Sequence, residues 1–309
     1  MPAISPSQID SVVFLYTTVD AAKQHARSGG TAFLIGLPVH GTSEERWIAF
    51  AVSCRHVVWE TACPVMRVNR RDGGEPDVFD LDQNDWIPHP TDDLAIIPVA
   101  GAVSVSGVEL SSVIHKISYV PCDNFVDEAF LRNHDVSPGE DAYMIGRFLN
   151  WQGKEEGQPA LRFGNLSMMA QPLWNGVLKR EQEGFAVEMR SRTGFSGSPV
   201  FIYGTAFNQL KERFGGRHIF FGLLGVNWGY IYERDIDGNG TTENTWLNGV
   251  VPTWKIRELL EMPKIKSVIA ESEATARRLF PPKDDPATVA AEGSERPATP
   301  IEGHDQHKG

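Results

Sequence analysis

The sequence predicts an all-β protein, and three observations lead to that prediction. Many short segments are rich in Val, Ile, Phe and Tyr, while Gly, Pro, Asp and Asn occupy the gaps between them. Helix signals are few. The apolar segments fall into two groups of about six, divided near residues 105–140, which favours two β-barrels over one sandwich.

The strands of each group are taken in chain order. The first group comprises Ser11–Thr17, Thr31–Leu37, Trp47–Val52, Val65–Asn69 and Leu94–Val99. The second group comprises residues 142–147, 161–168, 184–190, 199–203, 219–226 and 247–251. Each segment has the length and the β-branched or aromatic content of a strand that lies partly in a core.

Two helices and a tail complete the prediction. A short helix is predicted over Thr18–Arg27, ending at the glycines that follow it. The clearest helix is Pro252–Glu261, where apolar side chains share one face. From residue 271 to 309 the chain is rich in proline and charge, so we expect a disordered acidic tail that buries too little apolar surface to fold.

Composition excludes several functions. The 309 residues carry 29 Lys and Arg against 40 Asp and Glu, a net charge of −11. Acidic chains repel phosphate, so we expect no nucleic-acid partner and no attachment to anionic lipid. No apolar run approaches the ~18 residues of a membrane span and no leader is visible, which favours a cytoplasmic location. Three cysteines form neither a disulfide framework nor a zinc motif.

Three motifs together indicate acyl-transfer chemistry. They are Ser53–Val58 (SCRHVV), Asp92–Ile97 (DDLAII) and Thr193–Val200 (TGFSGSPV). A serine hydroxyl becomes a nucleophile when an imidazole accepts its proton, and a carboxylate orients that imidazole. Glycines around a serine allow a tight turn that points backbone N–H groups at a developing oxyanion.

These roles assign the candidate catalytic residues. Ser196 is the nucleophile, His56 is the general base and then the acid, and the N–H groups of Gly194 and Ser196 form the oxyanion hole. Asp92 and Asp93 compete to orient His56. The chain order His, Asp, Ser differs from that of α/β-hydrolases and subtilisins and is the chymotrypsin order.

The chain resembles the trypsin/chymotrypsin-fold serine proteases, particularly the bacterial glutamyl endopeptidases and the HtrA-like branch. The resemblance covers roughly residues 11–262. Its motifs are Gly30–Ile35, Cys54–Val58, Asp93–Ile96, Gly194–Pro199 and Gly225–Gly229. The residue that adjoins Leu-Ala matches the family's aspartate motif, so the resemblance selects Asp93, with Asp92 a solvated neighbour.

The resemblance implies two six-stranded antiparallel β-barrels with the active site in the cleft between them. The protease domain then covers residues 1–265, with the first barrel at about 10–110, the second at about 135–252 and a closing helix at 252–261. A peptide or protein is the implied substrate, and no cofactor or metal is needed. Asn227, Trp228 and Gly229 lie on the strand that implies contact with substrate.

Three departures from the family affect activation and specificity. Phe195 replaces the aspartate that pairs with a new N-terminus in zymogens, so the serine loop must be held by packing, by substrate or by an activating partner. Asn227 replaces the histidine of glutamyl endopeptidases. Arg190 favours an acidic P1 residue if it lines the specificity pocket, and the pocket is neutral if Arg190 faces solvent.

The segment Asp235–Gly240 is like part of a calcium loop, but the twelfth position is Trp246, which favours a polar hairpin.

The sequence therefore predicts a serine endopeptidase that acts through an acyl-enzyme on Ser196. Two alternatives stay open. One is a conditionally active or inactive protease fold that binds or senses a partner, and the other is an esterase that uses the same triad.

Overall fold

The computed structural model describes residues 4–27, 29–100, 108–149, 156–204, 220–232 and 244–282. The chain folds into two halves built from β-strands, each with its own sheet. This confirms the predicted all-β fold with two barrel-like halves.

The first half is a sheet of eight strands. Its strands are β1 (Val12–Tyr16), β2 (Gly30–Val39), β3 (Arg46–Ser53), β4 (Val65–Val68), β5 (Asp77–Phe79), β6 (Ile87–Pro88), β7 (Ala95–Ala100) and β8 (Val120–Pro121). The spatial order is β5-β4-β1-β2-β3-β7-β6, with antiparallel neighbours, and β8 pairs with β2 in parallel. Five strand segments were predicted here from the sequence pattern, and the family resemblance implied six strands. The structure adds β5, β6 and β8, which the sequence did not predict because two or three residues are too few to give a hydrophobic pattern.

The second half is a closed six-stranded barrel, as predicted. Its strands are β9 (Asp141–Gly146), β10 (Ala160–Asn175), β11 (Arg180–Met189), β12 (Pro199–Gly204), β13 (Phe220–Tyr232) and β14 (Asn244–Pro252). They close in the order β10-β11-β14-β13-β12-β9, and every pair is antiparallel. The β10–β11 hairpin is long, so its turn extends beyond the barrel wall.

Each half has a hydrophobic core. Phe33 and Phe50 lie fully buried in the first core, and Phe185 and Phe195 in the second. Burying aromatic side chains of this size contributes roughly 2–3 kcal/mol each relative to exposure. The two cores therefore fix the rims of the barrels, from which the candidate site residues project.

Helices precede, connect and follow the strands. They are α1 (Pro6–Ile9), α2 (Val19–Lys23), α3 (Arg55–Val58), α4 (Glu128–Asn133), α5 (Thr253–Leu260) and α6 (Pro263–Leu279). The predicted Thr18–Arg27 helix is shorter than expected: Thr18 caps α2, accepting the Ala21 N–H at 3.0 Å. The predicted closing helix is present as α5. Among the described residues, no helix combines the length and apolar character needed to cross a membrane.

The prediction of disorder from residue 271 is wrong for its first part, because α6 continues to Leu279. Ile265, Val268, Ser272 and Ala276 are buried at helical spacing, so a narrow apolar stripe docks the helix although its composition is polar. Beyond the helix, the Phe280 ring lies under the Arg46 guanidinium at 3.5 Å. Residues 283–309 of the predicted tail lie outside the described residues.

All three cysteines are buried and free, as expected for a chain without a disulfide framework. Burial raises the pKa of each thiol, that of Cys122 to about 12. Thiolate is the reactive form, so a raised pKa and burial both suppress alkylation.

We therefore expect native protein at about pH 8 to acquire no iodoacetamide adduct within minutes, and the guanidinium-unfolded chain to acquire three. Intact-mass measurement counts the adducts. Rapid labelling of the native chain would show that the packing around these residues is wrong.

Candidate active site

His56 and Asp93 are held together by adjacent strands of the first half. Ser53 at the end of β3 pairs with Ala95 at the start of β7, so the residues just beyond these strand ends meet. His56 lies in α3, and its Nδ1 is 2.7 Å from Asp93 Oδ2. The His56 backbone N–H also donates to Asp93 Oδ1 at 2.9 Å, which satisfies an otherwise free N–H at the start of the helix.

Asp93 is fully buried and carries an ionised carboxylate. Burial by itself would raise its pKa, but the charge of His56, its two hydrogen bonds and a bond from Asn175 outweigh burial and lower the pKa below its ordinary value. Asn175 Nδ2 donates to Oδ2 at 3.1 Å, and the Asp93 N–H donates to Gln182 Oε1 at 2.9 Å. A buried carboxylate with these partners can stabilise an imidazolium.

The structure places Asp93, and not Asp92, against His56. Asp92 is also buried, so the prediction of a solvated neighbour is wrong. Its Oδ2 lies 3.1 Å from His89 Nδ1 and accepts the Thr91 hydroxyl at 2.8 Å. Burial would raise the Asp92 pKa, but these bonds and the Lys255 charge lower it instead. Asp92 therefore belongs to a second polar cluster that joins the aspartate loop to α5.

The loop that carries Ser196 exposes two backbone donors. Gly194 and Gly197 have φ values of +103° and +88°, which favour glycine. The N–H groups of Phe195, Gly197 and Ser198 donate to backbone carbonyls. Within the described residues, the N–H groups of Gly194 and Ser196 have no such acceptor. These are the two donors that the sequence assigned to an oxyanion hole.

Thr31 in β2 fixes this loop from the other half of the molecule. Its backbone N–H donates to Ser196 O at 2.9 Å, and its hydroxyl donates to Gly194 O at 2.7 Å. The same hydroxyl oxygen accepts the Arg147 N–H at 2.9 Å. Thr31 lies in a motif that the sequence matched to the protease family, but its clamping role is visible only in three dimensions.

The Ser196 hydroxyl donates to Trp228 O at 3.3 Å. In the part of the chain that the structure describes, it makes no hydrogen bond to His56. The two segments nevertheless meet, because the Asn227 carbonyl accepts both the Gly197 N–H at 2.9 Å and the Cys54 thiol at 3.2 Å. The serine is therefore beside the histidine segment with its hydroxyl turned towards β13.

The three residues predicted to contact substrate on β13 differ in burial and in what their side chains contact. Asn227 is fully buried, and its Nδ2 donates to Phe195 O at 2.9 Å, so its side chain supports the serine loop. Trp228 is only 2% exposed, so its indole ring is not available to a substrate. Gly229 faces the site: a Cβ built on it would lie 3.8 Å from Ser196 Oγ.

Arg190 is exposed and distant from these groups. Its guanidinium lies 5.8 Å from the Trp246 ring centroid. Both residues line an open cavity of about 600 Å³ whose other walls come from residues 161–165 and 188–189. Neither Ser196 nor the Asn227–Gly229 segment is among the described residues that line it. Of the two alternatives for Arg190, the structure favours the solvent-facing one.

Cys54, His56 and Asp93 form the one group of possible metal ligands within the described residues, with donor atoms inside 4.8 Å of one another. Burial and the Asp93 charge raise the Cys54 pKa well above its ordinary value, so the thiol remains protonated and donates to Asn227 O. His56 Nδ1 is bonded to Asp93. These bonds occupy the Cys54 thiol and His56 Nδ1 and favour acid–base chemistry over metal binding. The Asp235–Gly240 loop lies outside the described residues.

Comparison with known proteins finds only distant structural similarity. No family model and no curated protein matches the chain. Among solved structures, the MamO protease domain from Magnetospirillum magneticum in its apo form is 15% identical, with 83% of this chain and 98% of that chain covered and a TM-score of 0.45. The inactive form of Rv3671c protease is 16% identical, with 82% and 88% covered and a TM-score of 0.41.

The fold class is defined by the chain itself. Two β-sheet halves, an aspartate–histidine pair from the first, and a glycine-rich serine loop from the second are the arrangement of the trypsin/chymotrypsin fold. The chain has this chymotrypsin-like double-barrel fold.

The Thr31 clamp makes a testable prediction. Thr31→Val keeps the side-chain shape but leaves the Gly194 carbonyl and the Arg147 N–H without their partner. We expect the free energy of unfolding to fall by about 1–3 kcal/mol and the reaction of Ser196 with a fluorophosphonate to slow. Denaturant unfolding and the rate of adduct formation measure the two effects.

Thr42→Val is the matched control, since Thr42 donates to Val39 O and Glu44 O in a loop away from the site. It should change stability by about 0.5 kcal/mol or less and leave the labelling rate unchanged. Equal effects of the two substitutions would contradict a specific clamp.

Proposed function

We propose that this chain is a serine endopeptidase that hydrolyses peptide bonds through an acyl-enzyme on Ser196. The observation that carries the proposal is the buried His56–Asp93 pair, set beside a serine loop whose two glycine-flanked N–H groups lack acceptors within the described chain. Acyl transfer needs a nucleophile, a base oriented by a carboxylate, and donors for the oxyanion, and this combination of groups is typical of that chemistry. The double-barrel fold is compatible with this activity but does not by itself establish it.

The hydrogen bonds define the order of proton movements. Because Asp93 accepts from His56 Nδ1, the lone pair is on Nε2, which is the nitrogen available to a base. The Ser196 hydroxyl must rotate from Trp228 O towards Nε2. Its oxygen then attacks the carbonyl carbon, and its proton passes to His56. Gly194 and Ser196 N–H groups hold the resulting oxyanion.

Collapse of that intermediate completes the first half of the reaction. His56 gives its proton to the leaving amine, and the carbon–nitrogen bond breaks. Water then enters, loses a proton to His56 and releases the acid from Ser196 by the same steps in reverse order. Asp93 remains a carboxylate and stabilises the imidazolium at each stage. The solvent-facing Arg190 supports a substrate preference for an uncharged P1 side chain.

A second function has one observation in its favour. The Ser196 hydroxyl is bonded to Trp228 O, which is an arrangement in which the nucleophile is not yet activated. This supports a conditionally active protease fold that needs substrate or a binding partner to turn the serine towards His56. The two functions differ in whether the isolated protein reacts with an active-site reagent.

Fluorophosphonate labelling tests the proposal. We expect one adduct on the wild-type chain and none on Ser196→Ala, with loss of all peptidase turnover in the variant and unchanged folding. Intact-mass analysis and circular dichroism measure these outcomes. A folded wild type that takes no adduct would refute the constitutive peptidase and favour the conditional one. Cleavage of esters but not of any peptide in a library would favour an esterase.

The pH dependence gives a second prediction. Because hydrogen bonds and the charge of His56 lower the Asp93 pKa below its ordinary value, its carboxylate stays charged throughout the range of the experiment, and only the base limits the acid side. We expect the labelling rate to be low in acid and to rise with pH to a plateau, with a midpoint near ~7. Stopped-time labelling between pH 5 and 9 in steps of about half a unit follows the curve. A rate that falls as pH rises through this interval would exclude the assigned general base.

A further inference from the structure

The turn of the β10–β11 hairpin reaches out of the second barrel to the catalytic aspartate of the first half. Asn175, the last residue of β10, is fully buried there. Gln182, on the opposite strand of the same hairpin, is 5% exposed. Both side chains bond to Asp93, one at its carboxylate and the other at its backbone N–H. One hairpin therefore holds this residue at two points.

The orientation of the Asn175 amide is fixed by its own turn. Its Oδ1 accepts the N–H groups of Val177 and Leu178 at 2.9 and 3.0 Å. An amide oxygen with two donors leaves its nitrogen to point the other way. That nitrogen is 3.1 Å from Asp93 Oδ2, so Asn175 presents a donor to the carboxylate and cannot exchange it for the oxygen without losing the turn.

This contact restricts how Asp93 can meet His56. Oδ2 accepts from both His56 Nδ1 and Asn175 Nδ2, while Oδ1 accepts from the His56 backbone. The three donors fix the plane of the carboxylate. The Asn175 bond also draws part of the negative charge on Oδ2 away from the imidazole, which adjusts how strongly a proton is held on His56.

We propose that Asn175 is a positioning residue for the catalytic pair, a role that rests on the proposed peptidase function. It acts through Asp93 and does not touch the reacting atoms. By this bond the docking of the second barrel on the first sets the geometry of the general base. The Asn227 side chain donates to the serine loop at Phe195 O. The hydrogen bond from the second barrel to the Asp93 carboxylate comes from Asn175 in the hairpin.

Other titratable groups near Asp93 are few among the described residues. The Cys54 thiol lies beside α3 and stays protonated. Asp92 is adjacent in the chain, but His89 and Lys255 face it. Arg180 is the cross-strand partner of Asn175 in the hairpin, so a charge placed at position 175 would act on the His56–Asp93 pair and on this guanidinium.

Asn175→Asp is the decisive substitution. It keeps the shape of the side chain and the Oδ1 acceptor of the turn, but it puts a carboxylate against Asp93. Added negative charge stabilises the protonated imidazole. We expect the midpoint of the pH–labelling curve to move up by about one pH unit, and labelling at pH 7 to slow by about fivefold.

Asn165→Asp is the matched control. Asn165 lies on the same strand, and its Nδ2 also faces an aspartate, Asp141 Oδ1 at 3.2 Å, but on the exposed surface. The midpoint should stay at the wild-type value in this variant. If both variants shift the midpoint equally, or if folded Asn175→Asp and Asn175→Ala both keep the wild-type midpoint and the wild-type rate of acylation, the positioning role is refuted.

A second variant and a second readout cover the remaining cases. If Asn175→Asp fails to fold, Asn175→Ala removes the donor without adding charge, and slower acylation with unchanged KM supports the role while wild-type acylation refutes it. The low-field proton resonance of the His56–Asp93 bond gives a readout that needs no activity. If wild type takes no fluorophosphonate, the peptidase proposal fails, and movement of this resonance in the Asn175 variants still decides whether Asn175 acts on the pair.

Discussion

The burial of one carboxylate, that of Asp93, is the constraint on which the rest of the site depends. A charge removed from water costs several kcal/mol unless it is paired and hydrogen-bonded. Asp93 meets this requirement with partners from both halves of the molecule: the ring and backbone of His56 from the first, and Asn175 from the second. Separation of the two halves would remove the Asn175 bond and leave the two bonds from His56.

The serine loop is held by packing and hydrogen bonds. Phe195 is fully buried in the second core, with the Arg162 guanidinium 5.4 Å from its ring. The Thr31 hydroxyl donates to Gly194 O, and the Asn227 amide donates to Phe195 O. Of the possibilities raised by the sequence, packing with hydrogen bonds accounts for the ordered loop without a newly cut N-terminus.

A second polar cluster adjoins the aspartate loop and connects it to the closing helix. His89 Nε2 lies 3.1 Å from Glu258 Oε2 on α5, and Lys255 of the same helix bonds the other oxygen of Glu258 at 2.9 Å. Asp92 joins this cluster through His89. The aspartate loop is thus supported on one side by α5 and on the other by the β10–β11 hairpin, which explains how two adjacent acidic residues come to serve different partners.

The sequence by itself determined the strand pattern, the two-part organisation and the order of the histidine, aspartate and serine motifs, because these depend on neighbouring residues in the chain. Asp93 could be preferred over Asp92 only by resemblance, and the stripe that docks α6 was hidden by its polar composition. Tertiary structure alone decided that Asn175 supports Asp93 across 82 residues and that Thr31 holds Gly194 across 163. It also decided that the Arg190 side chain is exposed and lies near Trp246. Such contacts join segments that are far apart in the sequence, and local residue patterns do not indicate which distant segments meet. Only the packing of the two halves brings them together.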